Sequence, residues 1–179
     1  MELLEDRRNI EKQYGTLARG MAYPNGIYDK MIVEAVSDCG FSYGRTTNST
    51  EEFCFPENWL TLHPTCHHSN PKLMELAKKF VKEKSSCSCD TWLFYVWGHS
   101  YEFDNNDNWE VIEKFAEYIG GREDVWYATN IEIYDYVKAY ERLETSIDKR
   151  IIHNPSSIDV WFCEQGKTYC VKGGQTLYI

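Results

Sequence analysis

An α/β fold of parallel strands covered by helices is what this chain predicts, and two observations carry that reading. Amphipathic helical stretches alternate with short apolar runs, the order that builds a parallel sheet with helices packed on it. The longest run, Thr91-Trp92-Leu93-Phe94-Tyr95-Val96-Trp97, is continuously apolar, as a strand buried on both faces should be. After Ile151 the pattern changes. Ile158 to Cys163, a Gln165-Gly166 turn and Thr168 to Val171 read as a β-hairpin. A length of 179 residues predicts one domain at roughly 150 residues per domain. Residues 1–148 form its α/β part and 149–179 a β extension packed on it.

Taken in order, Glu2 to Tyr14 reads as a polar helix with Leu3, Leu4 and Ile10 on one side. It starts without a capping residue, which suggests that chain once preceded it. Met21-Ala22-Tyr23 is a short apolar run broken by the turn Pro24-Asn25-Gly26. Tyr28, Ile32, Ala35 and Val36 recur at helical spacing up to Cys39-Gly40. Phe41-Ser42-Tyr43 is a strand candidate, and residues 46–70 a long loop of the kind that is commonly functional. Pro71 opens a helix carrying Leu73, Leu76, Ala77, Phe80 and Val81. Gly98-His99 ends the 91–97 strand. A helix from about Asn108 stops at Gly120-Gly121, Val125 to Ala128 is a further buried strand, and Asn130 caps a helix facing Ile133, Val137, Tyr140 and Leu143 inward.

Charge and composition exclude several classes. A net charge of -9 argues against a nucleic-acid surface, which needs a Lys/Arg excess. The first residues are charged where a signal peptide needs an apolar core, and no stretch approaches the roughly 18 apolar residues of a membrane span. A cytoplasmic protein is the expectation. Seven cysteines cannot all pair within the chain; Cys87 and Cys89 are too close for easy bridging, while Cys163 and Cys170 could face each other across the hairpin. Reduced thiols are the simpler reading. Phosphate-binding, dinucleotide-binding and nucleophile-elbow glycine motifs are absent from the sequence. Six Trp, 13 Tyr and eight Phe exceed what a core this size requires, and such rings stack on sugars as readily as on each other.

Chemistry concentrates in two places. His99 follows an apolar strand, with Glu102 or Asp104 placed to orient its imidazole, and a carboxylate-held His is a recurrent general acid or base. Bonding of that His to a loop carbonyl fits equally. His63-Pro64-Thr65-Cys66-His67-His68 gathers three imidazoles and a thiol, ligands that zinc accepts. The spacing matches no strong zinc pattern, and Pro64 prevents a helical pair. A polar loop lining a cleft is the plainer alternative.

Arg19-Gly20-Met21-Ala22-Tyr23-Pro24-Asn25-Gly26 resembles the third motif of NodB-homology polysaccharide deacetylases. Leu93 to His99 resembles their fifth, an apolar strand ending in a catalytic His. The resemblance covers roughly residues 5 to 145. It implies an incomplete (β/α) barrel of the NodB-homology type with a C-terminal β-hairpin extension. It also implies metal-dependent hydrolysis of acetyl groups on a sugar polymer. In that family a divalent metal, commonly zinc, is held by Asp-His-His and polarises the carbonyl. Carried over, His99 is the catalytic acid, and the backbone N–H of Asn25 helps bind the oxyanion. Tyr23, Pro24, Trp97, Glu102, His67 and His68 would line the substrate cleft. The metal motifs belong before Arg19, where this chain has no His and a single Asp, Asp6. No metal ligand is therefore assigned, and the chain as it stands is expected to be inactive. Carbohydrate is the expected partner, nucleic acid and membrane are not, and exposed barrel edges suggest a homo-oligomer. Two alternatives stay open: a non-catalytic carbohydrate-binding module, and a zinc hydrolase using His63, Cys66, His67 or His68.

Overall fold

Parallel strands in chain order organise the first part of the molecule. The computed structural model describes residues 2–83 and 91–179, and the chain packs as two units, Met1–Tyr127 and Ala128–Ile179. In the first, β1 (Gly20–Ala22) and β2 (Tyr43–Arg45) pair in parallel with Met21 against Gly44, and α2 (Lys30–Asp38) makes the crossover. A parallel bridge from Arg45 to Leu62 adds the segment that runs on into β3 (Cys66–His67). That strand pairs in parallel with β4 (Val96–Trp97), and α3 (Leu73–Glu83) lies between them in sequence. The sheets are small and none closes. Because all four strands point one way, the segments that leave them, beginning at Tyr23, Thr46, His68 and Gly98, open on one edge. α1 (Glu2–Tyr14) precedes this row; α4 (Tyr101–Asn106) and α5 (Glu110–Ile119) follow it.

The core of this unit is aromatic. Phe53, Cys66, Leu73, Leu76 and Phe80 are buried, with Trp92, Phe94, Val96, Val111, Phe115 and Ile119 packed around them. Phe53 stacks on Trp92 and meets Phe80 and Phe94 edge-on. Much of the aromatic surplus is thus spent on holding α3 and α5 against the β4 segment, each buried large side chain contributing about 1.5–3 kcal/mol.

Several expected elements are relocated. Of the run 91–97 only Val96–Trp97 is a strand, and these residues are half-buried, not sealed on both faces. The neighbouring chain carries Pro64, which has no N–H to donate. Thr65 replaces the missing ladder: its hydroxyl accepts from the Tyr95 N–H at 3.0 Å and donates to the Leu93 carbonyl at 3.4 Å. β2 is shifted two residues along from Phe41-Ser42-Tyr43 and shares only Tyr43 with that run. Gly44 is central to it, because a β-carbon there would press on the Leu60 carbonyl at 2.8 Å and on the Tyr23 ring. Val125 to Ala128 forms no strand, and Trp126 and Tyr127 are exposed. Residues 101–106, to which the sequence pattern assigns no element, form α4, which the left-handed Asp107 (φ 46) terminates. Cys87 and Cys89 lie outside the described residues.

The second unit joins α6 (Asn130–Glu141) to the C-terminal strands. β5 (Glu144–Thr145), β6 (Ile151–His153) and β9 (Thr176–Tyr178) form an antiparallel sheet, and β7 (Val160–Glu164) pairs with β8 (Lys167–Val171) as the expected hairpin. Gln165 (φ 52) and Gly166 (φ 75) both take the left-handed conformation that a two-residue hairpin turn requires. Cys163 faces Thr168 and Cys170 faces Trp161. The two thiols are therefore diagonal rather than opposite, and both are free. Ala139, Ile152, Val160 and Val171 form the core, while Tyr140 turns outward. Among the described residues no helix is long and apolar enough to cross a membrane.

Candidate functional site

Two adjacent strand ends and one helical turn assemble the cluster. His67 is the last residue of β3, and His68 continues the ladder by donating its N–H to the Trp97 carbonyl at 2.8 Å. Trp97 ends β4; Gly98 and His99 leave the sheet, and α4 starts at Tyr101. The first turn of α4 carries Glu102 back over His99, and Glu102 Oε1 lies 2.6 Å from His99 Nδ1. The same carboxylate reaches the other two rings, with Oε1 at 3.5 Å from His67 Nε2 and Oε2 at 3.3 Å from His68 Nε2. One donor atom from each of His67, His68 and Glu102 falls within 4.8 Å of the others.

His68 is the buried member, 4% exposed, clasped between the His67 and Phe103 rings at 4.2 Å each. Its Nε2 is sealed from solvent and makes no hydrogen bond, since the nearby Glu102 oxygen is close but misaligned. Gly98 makes room for this ring: a β-carbon at 98 would overlap its Cδ2. Burial and the neighbouring His68 push the His67 imidazole below its ordinary pKa. The hydrogen bond from His99 holds the Glu102 carboxyl below the carboxylate range. Near neutral pH the site therefore presents a neutral imidazole at His67 beside an ionised carboxylate. Cys66 stays outside this set; burial pushes its thiol up to about 11.

Of the residues singled out in the sequence, His99, Glu102, Trp97, His67 and His68 come together. Trp97 meets His67 edge-on at 4.6 Å, and Tyr101 stacks on His99 at 5.2 Å. The others stand elsewhere. Tyr23 is buried and its hydroxyl donates to the Leu60 carbonyl at 2.8 Å, so it holds the fold rather than a ligand. Pro24 and Asn25 form an exposed turn after β1, with Asn25 left-handed (φ 55). Asn25 follows β1, whereas His99 follows β4, and these strands belong to different two-stranded sheets. His63 Nδ1 is engaged by Thr46 Oγ1 at 2.6 Å. Sequence reasoning missed the convergence of Glu102 on His67 and His68, because these residues are far apart in the chain and meet only through β3–β4 pairing. It also missed Tyr101, which two residues of spacing from His99 could have flagged. No family model, curated protein or solved structure matches the chain.

Proposed function

We propose that this edge is a hydrolytic site acting on acyl groups carried by carbohydrate, with His99 as the proton-transferring residue. The observation that carries the reading is the 2.6 Å pairing of His99 Nδ1 with Glu102 Oε1 at the C-terminal end of a parallel strand, where α/β folds place their sites. With Nδ1 held by the carboxylate, the half-exposed His99 ring offers Nε2 to the reacting group. Water adds to the acyl carbon, the C–N or C–O bond breaks and the carboxylic acid leaves. His99 takes a proton from the water and returns it to the departing nitrogen or oxygen. The exposed Tyr101 ring stacked on His99 offers an apolar platform for a sugar face.

The Asp-His-His set implied by the family resemblance has no histidine among residues 1–18 to match it. No step of the hydrolysis is assigned to that set. Release of acetate from N-acetylglucosamine oligomers, measured with the full chain and with His99→Gln, tests the reading. In place of the inactivity expected from the missing metal motifs, this reading predicts turnover by the chain that falls by about 10²–10⁴ in the variant. Saturable oligomer binding without acetate release would replace it with the carbohydrate-binding alternative.

A further inference from the structure

His67, His68 and Glu102 have the chemistry and the spacing of a metal centre unrelated to the set before Arg19. The shortest approaches run from the two carboxylate oxygens separately, Oε1 at 3.5 Å from His67 Nε2 and Oε2 at 3.3 Å from His68 Nε2. One donor atom from each of the three residues lies within 4.8 Å of the others, close enough for a cation with bonds of about 2.1 Å to draw them together. Two imidazoles and one carboxylate are also a recognised catalytic zinc set, with a coordination position left for water or substrate.

A cluster of titratable groups does not by itself make a site, and the independent observation is His68 Nε2. It is a polar atom in a residue 4% exposed, 3.3 Å from the carboxylate, sealed from water and without a hydrogen bond. Native proteins seldom leave such an atom orphaned, and a coordinated cation would use its lone pair. The surroundings hold the ligands in place. The His99 imidazole grips Glu102 Oε1, as outer-shell partners grip ligating carboxylates. At His67, Nδ1 accepts the Ser69 N–H at 3.2 Å. With the imidazole proton moved to Nδ1, Ser69 Oγ at 2.7 Å accepts it and frees the Nε2 lone pair.

We propose that His67, His68 and Glu102 bind one zinc-type divalent cation, with His99 as the positioning residue for Glu102. The inference deepens the hydrolytic reading, since the cation would act as a Lewis acid next to His99, but its test is separate. Zinc binding to the full chain, freed of metal and kept reduced, is measured by calorimetry alongside circular dichroism. One equivalent is expected. Glu102→Gln and His67→Ala, chosen because their side chains are less buried than His68, should keep the fold and lose affinity by more than about 100-fold, whereas His99→Gln should lose about 10–100-fold. Substitution of cobalt for zinc should give a spectrum without a thiolate charge-transfer band. Wild-type affinity in folded Glu102→Gln and His67→Ala, no zinc in the wild type, or a thiolate band would each overturn the proposal. Zinc bound by these ligands without acetate release would instead remove the hydrolytic reading and leave the metal centre standing.

Discussion

At position 98 a β-carbon would occupy the space that the His68 ring fills. Gly98→Ala should therefore push the imidazole off its place between His67 and Phe103. Overpacking of this kind costs about 1–3 kcal/mol, so thermal melting should fall and zinc affinity should drop by at least about 10-fold. Unchanged melting and affinity would show that the ring is not held there. A second buried polar residue acts purely on stability. Asn154 is fully buried, donates to the Ile158 and Val171 carbonyls at 2.7 and 3.1 Å, and accepts from Ser156. Asn154→Leu leaves the Val171 carbonyl without the Asn154 donor, and each such buried group costs about 1–3 kcal/mol, readable in urea denaturation. His99 and Glu102 were legible from the sequence because they sit one helical turn apart. The part played by Gly98 was not, since nothing in a linear pattern says which side chain will lean on a glycine.

Among the elements, α1 spans Glu2–Tyr14 as expected, and the sequence also placed the start of α6 nearly right. Its cap is Thr129, one residue before the expected Asn130, closing a capping box in which Glu132 accepts from the Thr129 N–H and hydroxyl at 2.7 Å each. Thr129→Ala should cost about 1 kcal/mol, measured by thermal or urea unfolding. Those hydrogen bonds, the side-chain one foremost, lower the Glu132 pKa. A depressed folded-state pKa adds stability above the unfolded value, and that stability is lost as pH falls through the folded one. Glu132→Gln should accordingly weaken the acid dependence of unfolding. α3 and the β7–β8 hairpin were legible for similar local reasons: a helical apolar stripe in one, two-fold alternation around Gln165-Gly166 in the other. β4 was overextended because apolar composition reports burial, while ladder length depends on the partner. Here that partner contains Pro64, and Thr65 supplies a side chain in place of backbone. Gly44 concealed β2 because a glycine lowers strand propensity even where close approach demands one.

For the molecule as a whole, the parallel α/β character of the first unit and the β character of the C-terminal strands were both readable from periodicity. What the sequence could not show was which strand ends would be neighbours. β3 and β4 pair in register, Cys66 to Val96 and His67 to Trp97, and that pairing alone brings His67 and His68 to the turn that carries Glu102. The central claim is that the chain builds a metal-assisted site from these residues. X-ray absorption spectroscopy of the zinc-loaded full chain tests it most directly. The account predicts two imidazole nitrogens and oxygen donors at about 2.0–2.2 Å, with the nitrogen contribution reduced in His67→Ala. Sulfur at about 2.3 Å, or a spectrum unaltered by that substitution, would contradict it.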